Sequence, residues 1–160
     1  MLRDYQAADT DAILALNAAS VAVLSPMDEQ RFRWLRDQCA LLKVAERRDD
    51  IAGFLMGFCA GTDYDSANYR WFSERYGDFL YIDRVVVSDR HRGLGIASRF
   101  YEHAIAWSRE AGLDCLVAEI DIEPPNAPSL KFHQRFGFVE VDRLVHSPAK
   151  AVSLQHLPFT

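Results

Sequence analysis

The spacing of apolar residues changes several times along the chain, and each change marks an element boundary. Leu2 to Tyr5 reads as a short strand. Asp9 or Thr10 is placed to cap a helix that carries Ile13, Leu14, Leu16 and Asn17 through Val21, until Ser25-Pro26 breaks it. A second helix starts near Asp28, with Phe32, Trp34, Leu35 and Cys39 spaced for a buried stripe and arginines on the wet side. Leu41 to Arg47 and Ile51 to Ala60 form an antiparallel hairpin around an Asp49-Asp50 turn. From Gly61 to Gly77 no clean period survives, yet Tyr64, Tyr69, Trp71, Phe72 and Tyr76 crowd the segment. That pattern predicts either a functional lid or a loop pinned to the core by aromatic anchors.

The second half of the chain is more regular. Phe79 to Ser88 is a β-branched central strand, Gly93 to Ala111 an amphipathic helix closed by Gly112, and Leu113 to Ile122 the next strand. Pro128 to Phe136 is a short helix, and Phe138 to Val145 with Ala151 to Leu157 a closing hairpin. Strands and helices mix without strict βαβ alternation, which predicts a mixed α/β sheet with helices on both faces. No repeat, low-complexity tract or linker divides the chain, so residues 1–160 are expected to form a single domain.

Bulk properties narrow the partners. With 160 residues, a formal net charge of -5 and a pI near 5.5, the chain lacks the basic footprint of a nucleic-acid binder. Met1-Leu2-Arg3-Asp4 runs into a polar turn rather than a signal peptide, and no apolar run approaches the ~18 residues of a membrane span. No membrane partner and a cytoplasmic location follow as expectations. Cys39, Cys59 and Cys115 lie in apolar stretches without C-x-x-C spacing and read as reduced core residues. The five histidines form no spaced cluster with cysteine or carboxylates, so no metal site is expected.

Candidate chemistry concentrates where period two gives way to period 3.6. Val85, Val86 and Val87 run through Ser88-Asp89-Arg90-His91-Arg92 into Gly93-Leu94-Gly95-Ile96-Ala97-Ser98, where the helix opens. Glycines there permit unusual dihedrals and a close ligand approach, while the first helical N–H groups and the helix dipole favour an anion. Arg90 and Arg92 add cationic forks. The spacing is neither G-x-G-x-x-G nor a P-loop, so the phosphate belongs to a nucleotide of another kind. An isolated G-x-G would also suit an ordinary strand-to-helix loop.

R-G-L-G-I-A after a valine-rich strand resembles the acetyl-CoA signature of the GNAT N-acetyltransferases, with Arg92, Gly95 and Ala97 in register. A second register, Arg90-x-x-Gly93-x-Gly95, fits as a string, but the usual strand-to-arginine distance favours the first. N-A-P-S-L-K-F-H-Q-R-F-G-F from Asn126 to Phe138 is similar to the second block of that family, and the remaining elements fall in its order. Y-I-D-R-V-V-V, A-E-I-D-I-E-P-P-N and K-F-H-Q-R-F-G-F also look like a poorly characterised branch of predicted acetyltransferases in it. The resemblance implies a mostly antiparallel sheet of six to seven strands, with a central splayed parallel pair, here the strands around Val86 and Ile120, that admits the thioester. It implies backbone pairing of Val85 and Val87 with the pantetheine arm, a pyrophosphate cradle from Arg92 to Ser98, and Asn126, Ser129 and Phe132 along the arm. Asn126 also reads as a helix cap before Pro128.

The implied reaction is acetyl transfer from acetyl-CoA to a primary amine of a small molecule or peptide by direct attack in a ternary complex. Such chemistry needs a proton acceptor for the amine and often an acid for the thiolate. The family's acid is often a tyrosine after the Phe132 position, but His133 stands there. His133 could protonate the thiolate or merely contact the cofactor, with Tyr101, Tyr81 and the lid tyrosines as other donors. For the base, Glu119 and Asp121 share a strand face; Glu119 is the first choice and Asp83, on the neighbouring strand, the second. Asp83 reads equally as a salt-bridge partner of Arg84. Asn17, Trp34, Tyr64, Asn68, Tyr69 and Trp71 are placed to select the acceptor. A non-catalytic acyl-CoA sensor of the same fold is the alternative, and the closing hairpin offers edge strands for a homodimer.

Overall fold

The computed structural model describes residues 1–21 and 24–159. Among these, the strands are β1 (Leu2–Asp4), β2 (Leu41–Arg47), β3 (Asp50–Cys59), β4 (Phe79–Val87), β5 (Cys115–Glu123), β6 (Val139–Ser147) and β7 (Lys150–Pro158). The helices are α1 (Thr10–Ala18), α2 (Glu29–Gln38), α3 (Ala67–Ser73), α4 (Ile96–Glu110) and α5 (Ala127–Phe136). The strands form one seven-stranded sheet in the order β1-β2-β3-β4-β5-β7-β6. Its parallel pair is β4/β5, registered at Phe79↔Cys115, Leu80↔Leu116 and Tyr81↔Val117. The pairs β1/β2, β2/β3, β5/β7 and β6/β7 are antiparallel. This is the mixed α/β arrangement the periodicity predicts.

The chain divides into two compact units, Met1–Phe58 with Ile82–Trp107 and Cys59–Tyr81 with Ser108–Thr160. Strand β4 contributes to both, changing unit after Tyr81.

In the first unit, β3 is buried continuously from Ala52 to Phe58, as a strand covered on both faces must be. Gly53 is obligatory there: a Cβ would lie 2.4 Å from the Val86 carbonyl oxygen. Helix α2 begins where Asp28 accepts from the Arg31 amide at 2.7 Å, and it buries Phe32 and Leu35 one turn apart. Helix α4 lays Ile96, Phe100, Tyr101 and Ala104 into buried positions. It starts at Ile96 rather than Gly93, because Gly93 and Gly95 both take positive φ, near +78° and +77°.

In the second unit, the segment expected to lack periodicity contains helix α3. Ser66 caps it by accepting from the Tyr69 amide, and Tyr69 and Phe72 point into the core. Seven residues are too few for apolar spacing to stand out from the surrounding aromatics. Helix α5 runs from the Asn126 cap to Gly137, whose φ of +99° closes it.

Candidate active site

Strand β4 carries the first group of predicted residues. Val86 is buried, whereas Val85 and Val87 on the alternate face are half-exposed. The Ser88 amide donates to the Ala52 carbonyl at 2.8 Å, and the chain then makes a 3-10 turn over Asp89–His91. Arg92 is extended, Gly93 and Gly95 are left-handed, and the first turn of α4 is closed by Arg99 N–H to the Gly95 carbonyl. The amides of Ile96, Ala97 and Ser98 precede that bond and have no acceptor inside the helix. A Cβ built on Gly93 or Gly95 would meet nothing within 4 Å, so these glycines serve dihedral freedom and open approach rather than tight packing. Arg92 and Arg90 are largely exposed, held loosely by Asp89 at 2.9 Å and Asp50 at 3.5 Å. Amides at the start of a 15-residue helix, an open cradle and two exposed cations suit a pyrophosphate.

Asp83 lies two residues before Val85, in the same unit. Its carboxylate receives Arg84 Nε at 3.0 Å, and both side chains are nearly buried. Arg84 also donates through Nη1 to Asn17 Oδ1 and to the Ser25 carbonyl, both at 2.8 Å, while Asn17 Nδ2 donates to the same carbonyl at 3.1 Å. Asn17 is fully buried with both polar atoms engaged. It therefore does not face an acceptor: the sequence shows a polar residue on a helix but not that a buried arginine claims it.

The second unit holds Glu119, Asn126, Ser129, Phe132 and His133. Glu119 on β5 lies opposite Leu154 of β7, and its Oε2 accepts the Tyr81 hydroxyl at 2.6 Å. Asp121, two residues on, pairs with Lys150 at 2.5 Å. Asn126 Oδ1 accepts from the Ser129 amide at 3.3 Å, so its capping role is real. Phe132 packs its ring on His133 and Phe136.

His133 is buried, and its Nδ1 lies 2.7 Å from the Ser129 carbonyl oxygen. A carbonyl only accepts, so Nδ1 carries the proton and Nε2 the lone pair when the ring is neutral. Burial pushes His133 below the ordinary histidine value. Burial likewise lifts the Cys39 and Cys115 thiols to about 11, which makes both inert as nucleophiles near neutrality.

Of the residues expected to select an acceptor, Tyr64 and Tyr69 are buried, and Tyr69 donates its hydroxyl to the Cys59 carbonyl at 2.6 Å. Trp71 is stacked by Arg75, with the guanidinium 4.0 Å from the ring centre, and Asn68 accepts from His146 Nε2 at 2.9 Å. Trp34 is exposed and lies beneath Arg31. The contact between Tyr81 and Glu119 has no sequence signature, because the pairing register that aligns β4 and β5 is not written in either strand. Among the described residues, no group of three His, Cys, Asp or Glu could hold a metal ion, and no helix is long and apolar enough to cross a membrane.

Residues 10–138 match the family model of the acetyltransferase (GNAT) family. Phosphinothricin N-acetyltransferase of Streptomyces viridochromogenes is 29% identical over 105 residues, a match that spans 66% of this chain but only 53% of that relative. Among solved structures, ribosomal-protein-alanine N-acetyltransferase from Brucella melitensis superposes with a TM-score of 0.75 at 23% identity, covering 99% of both chains. The yncA acetyltransferase from Salmonella typhimurium, solved with its cofactor acetyl-CoA, superposes with a TM-score of 0.74 at 19% identity, covering 100% of this chain and 94% of that one. Such distant structural likenesses establish the fold.

Proposed function

Since the chain belongs to the GNAT acetyltransferase family, we propose that it transfers the acetyl group of acetyl-CoA to a primary amine of a small molecule or peptide, by direct attack in a ternary complex. The observation that carries this reading is the turn from Arg92 to Ser98, with its left-handed glycines, open cradle and helical amides that have no acceptor inside the helix. Acetyl-CoA, when bound, supplies an acetyl thioester activated for acyl transfer.

The amides of Gly93 to Ser98, with Leu94 and Ile96 shaping the turn, bind the pyrophosphate, and Arg92 supports them with charge. Backbone groups of Val85 and Val87, on either side of buried Val86, orient the pantetheine arm. Asn126, Ser129 and Phe132 line the arm further along, and Asn126 does so while capping α5.

Glu119 serves as general base. It takes the proton of the acceptor ammonium through water, which leaves a neutral amine as the nucleophile; the second amine proton, lost as the amide forms, would go to the departing thiolate or to solvent. Asp83 is the second candidate, but its nearly buried carboxylate is committed as the counter-charge of buried Arg84. His133 could return a proton to the thiolate only as an imidazolium, which its burial disfavours, so we assign it to contact with the cofactor. Wild-type-like turnover in both His133→Tyr and His133→Phe would agree with that assignment; loss in Phe and rescue in Tyr would make the position an acid.

The test is release of free CoA thiol over a panel of amines that includes phosphinothricin, other amino-acid-like amines and peptides with a free N-terminus. Thiol release that depends on both acetyl-CoA and an amine, with an acetylated product of the expected mass, is the expected result. The neutral, buried His133 also suits a sensor that binds acyl-CoA without turnover. Tight binding with no release across the whole panel would establish that reading instead.

A further inference from the structure

Tyr81 stands where the aromatic segment of the second unit meets its candidate base. The ring is fully buried, with Tyr69, Phe72 and Tyr64 around it at centroid distances of 5.6, 5.9 and 6.3 Å. Tyr69 is itself fixed at its far end: its hydroxyl donates to the Cys59 carbonyl at 2.6 Å and accepts the Thr62 amide at 3.3 Å. The enclosed ring brings its hydroxyl to 2.6 Å from Glu119 Oε2, to which it donates.

We propose that Tyr81 is a positioning residue for acyl transfer, holding the Glu119 carboxylate in one orientation and coupling it to the aromatic cluster built on α3. The inference rests on the reading of Glu119 as general base. A bond of this length from hydroxyl to carboxylate is of the strong, charge-assisted kind, so it orients as well as satisfies. A buried tyrosine needs a partner for its hydroxyl in any case, and the experiment must separate satisfaction from positioning.

Three other titratable groups of this unit have partners of their own. Asp121, on the same face of β5, is paired with Lys150 of β7. His156 lies opposite Val117, is pushed down by burial and stacks on Tyr76 at 4.9 Å. Tyr69 is committed to Cys59.

Tyr81→Phe deletes the hydroxyl and keeps the ring. The full-length protein, labelled with carbon-13 at its glutamate carboxyls, is titrated as wild type and as Tyr81→Phe, with Glu119→Gln identifying the resonance. Removing a donor to the charged form should move the Glu119 midpoint up by about one pH unit. The acidic limb of kcat/KM for the acceptor should move up with it, kcat should fall about tenfold or more, and KM for acetyl-CoA should stay put. In a Glu119→Gln background, Tyr81→Phe should cost nothing further.

An unmoved Glu119 midpoint overturns the proposal. So does an additive loss of kcat in the double variant. A midpoint that moves while the kcat/KM profile stays fixed leaves Tyr81 holding Glu119 but removes Glu119 as the base, so the two failures are distinct. Should Tyr81→Phe lower thermal stability, comparison with Phe72→Leu, which disturbs the same cluster without touching Glu119, shows whether destabilisation alone moves the midpoint. A matching shift in Phe72→Leu would also sink the proposal.

Discussion

Asp83 and Glu119 are both carboxylates on central strands, yet each unit treats its own differently. Asp83 in the first unit is locked by Arg84, which in turn is bound to Asn17 and Ser25. Glu119 in the second unit is held by a neutral hydroxyl. The first arrangement spends the carboxylate on architecture, because a buried guanidinium must have its counter-charge. The second orients a carboxylate through the hydroxyl of a buried ring. Strand position puts Glu119 first and Asp83 second as candidates, and the ion pair of Asp83 with Arg84 separates them further.

The largest effect should come from breaking the first arrangement. Arg84→Met leaves Asp83 charged and nearly buried without its counter-ion, so urea unfolding should show a loss of about 3 to 5 kcal/mol. Adding Asp83→Asn should recover part of that loss. No recovery would mean that Arg84 acts through Asn17 and Ser25 alone.

Next in size is Gly53→Ala, which disturbs the first unit without touching either carboxylate. Its Cβ would meet the Val86 carbonyl oxygen, part of the backbone and unable to turn aside, and a cost of about 2 to 3 kcal/mol is expected. Turnover per folded molecule measured at low temperature then shows how far destabilisation of that unit alone affects activity. Unchanged unfolding would contradict the close approach of β3 to Val86.

Arg92→Ala should raise KM for acetyl-CoA about tenfold, because one charge-assisted contact is lost, with kcat little changed. Arg90→Ala should do less. A larger effect at Arg90 would move the signature to its other register.

The smallest effect belongs to His133. The folded state holds it below its ordinary value, while the unfolded chain binds a proton near pH 6.5. Its contribution is therefore complete above about pH 6.5 and is lost as the pH falls through the folded value. Stability of His133→Gln should decline less than wild type between pH 7.5 and pH 5.5. Parallel declines would show that the ring is not held neutral.

Much of this was legible in the amino-acid order. The strand-turn-helix from Val85 to Ser98 declares itself because valines, glycines and a helical stripe follow one another without interruption, and the structure adds mainly the later start of α4. Asn126 was readable as a cap because Pro128 follows it. Helix α3 was not, since its apolar positions are embedded in other aromatics. Nor were the bonds from Asn17 to Arg84 and from Tyr81 to Glu119, which join residues 67 and 38 positions apart. Long-range side-chain pairing depends on strand register and helix docking, and no local spacing encodes it.

The central claim is that Glu119, not Asp83, takes the proton of the acceptor. The most direct measurement is the pH dependence of kcat/KM for an identified amine in wild type, Glu119→Gln and Asp83→Asn, each normalised to folded protein. Glu119→Gln should fall about 100- to 10,000-fold and lose the acidic limb, while Asp83→Asn should keep that limb. A limb that survives in Glu119→Gln and disappears in Asp83→Asn would contradict the account.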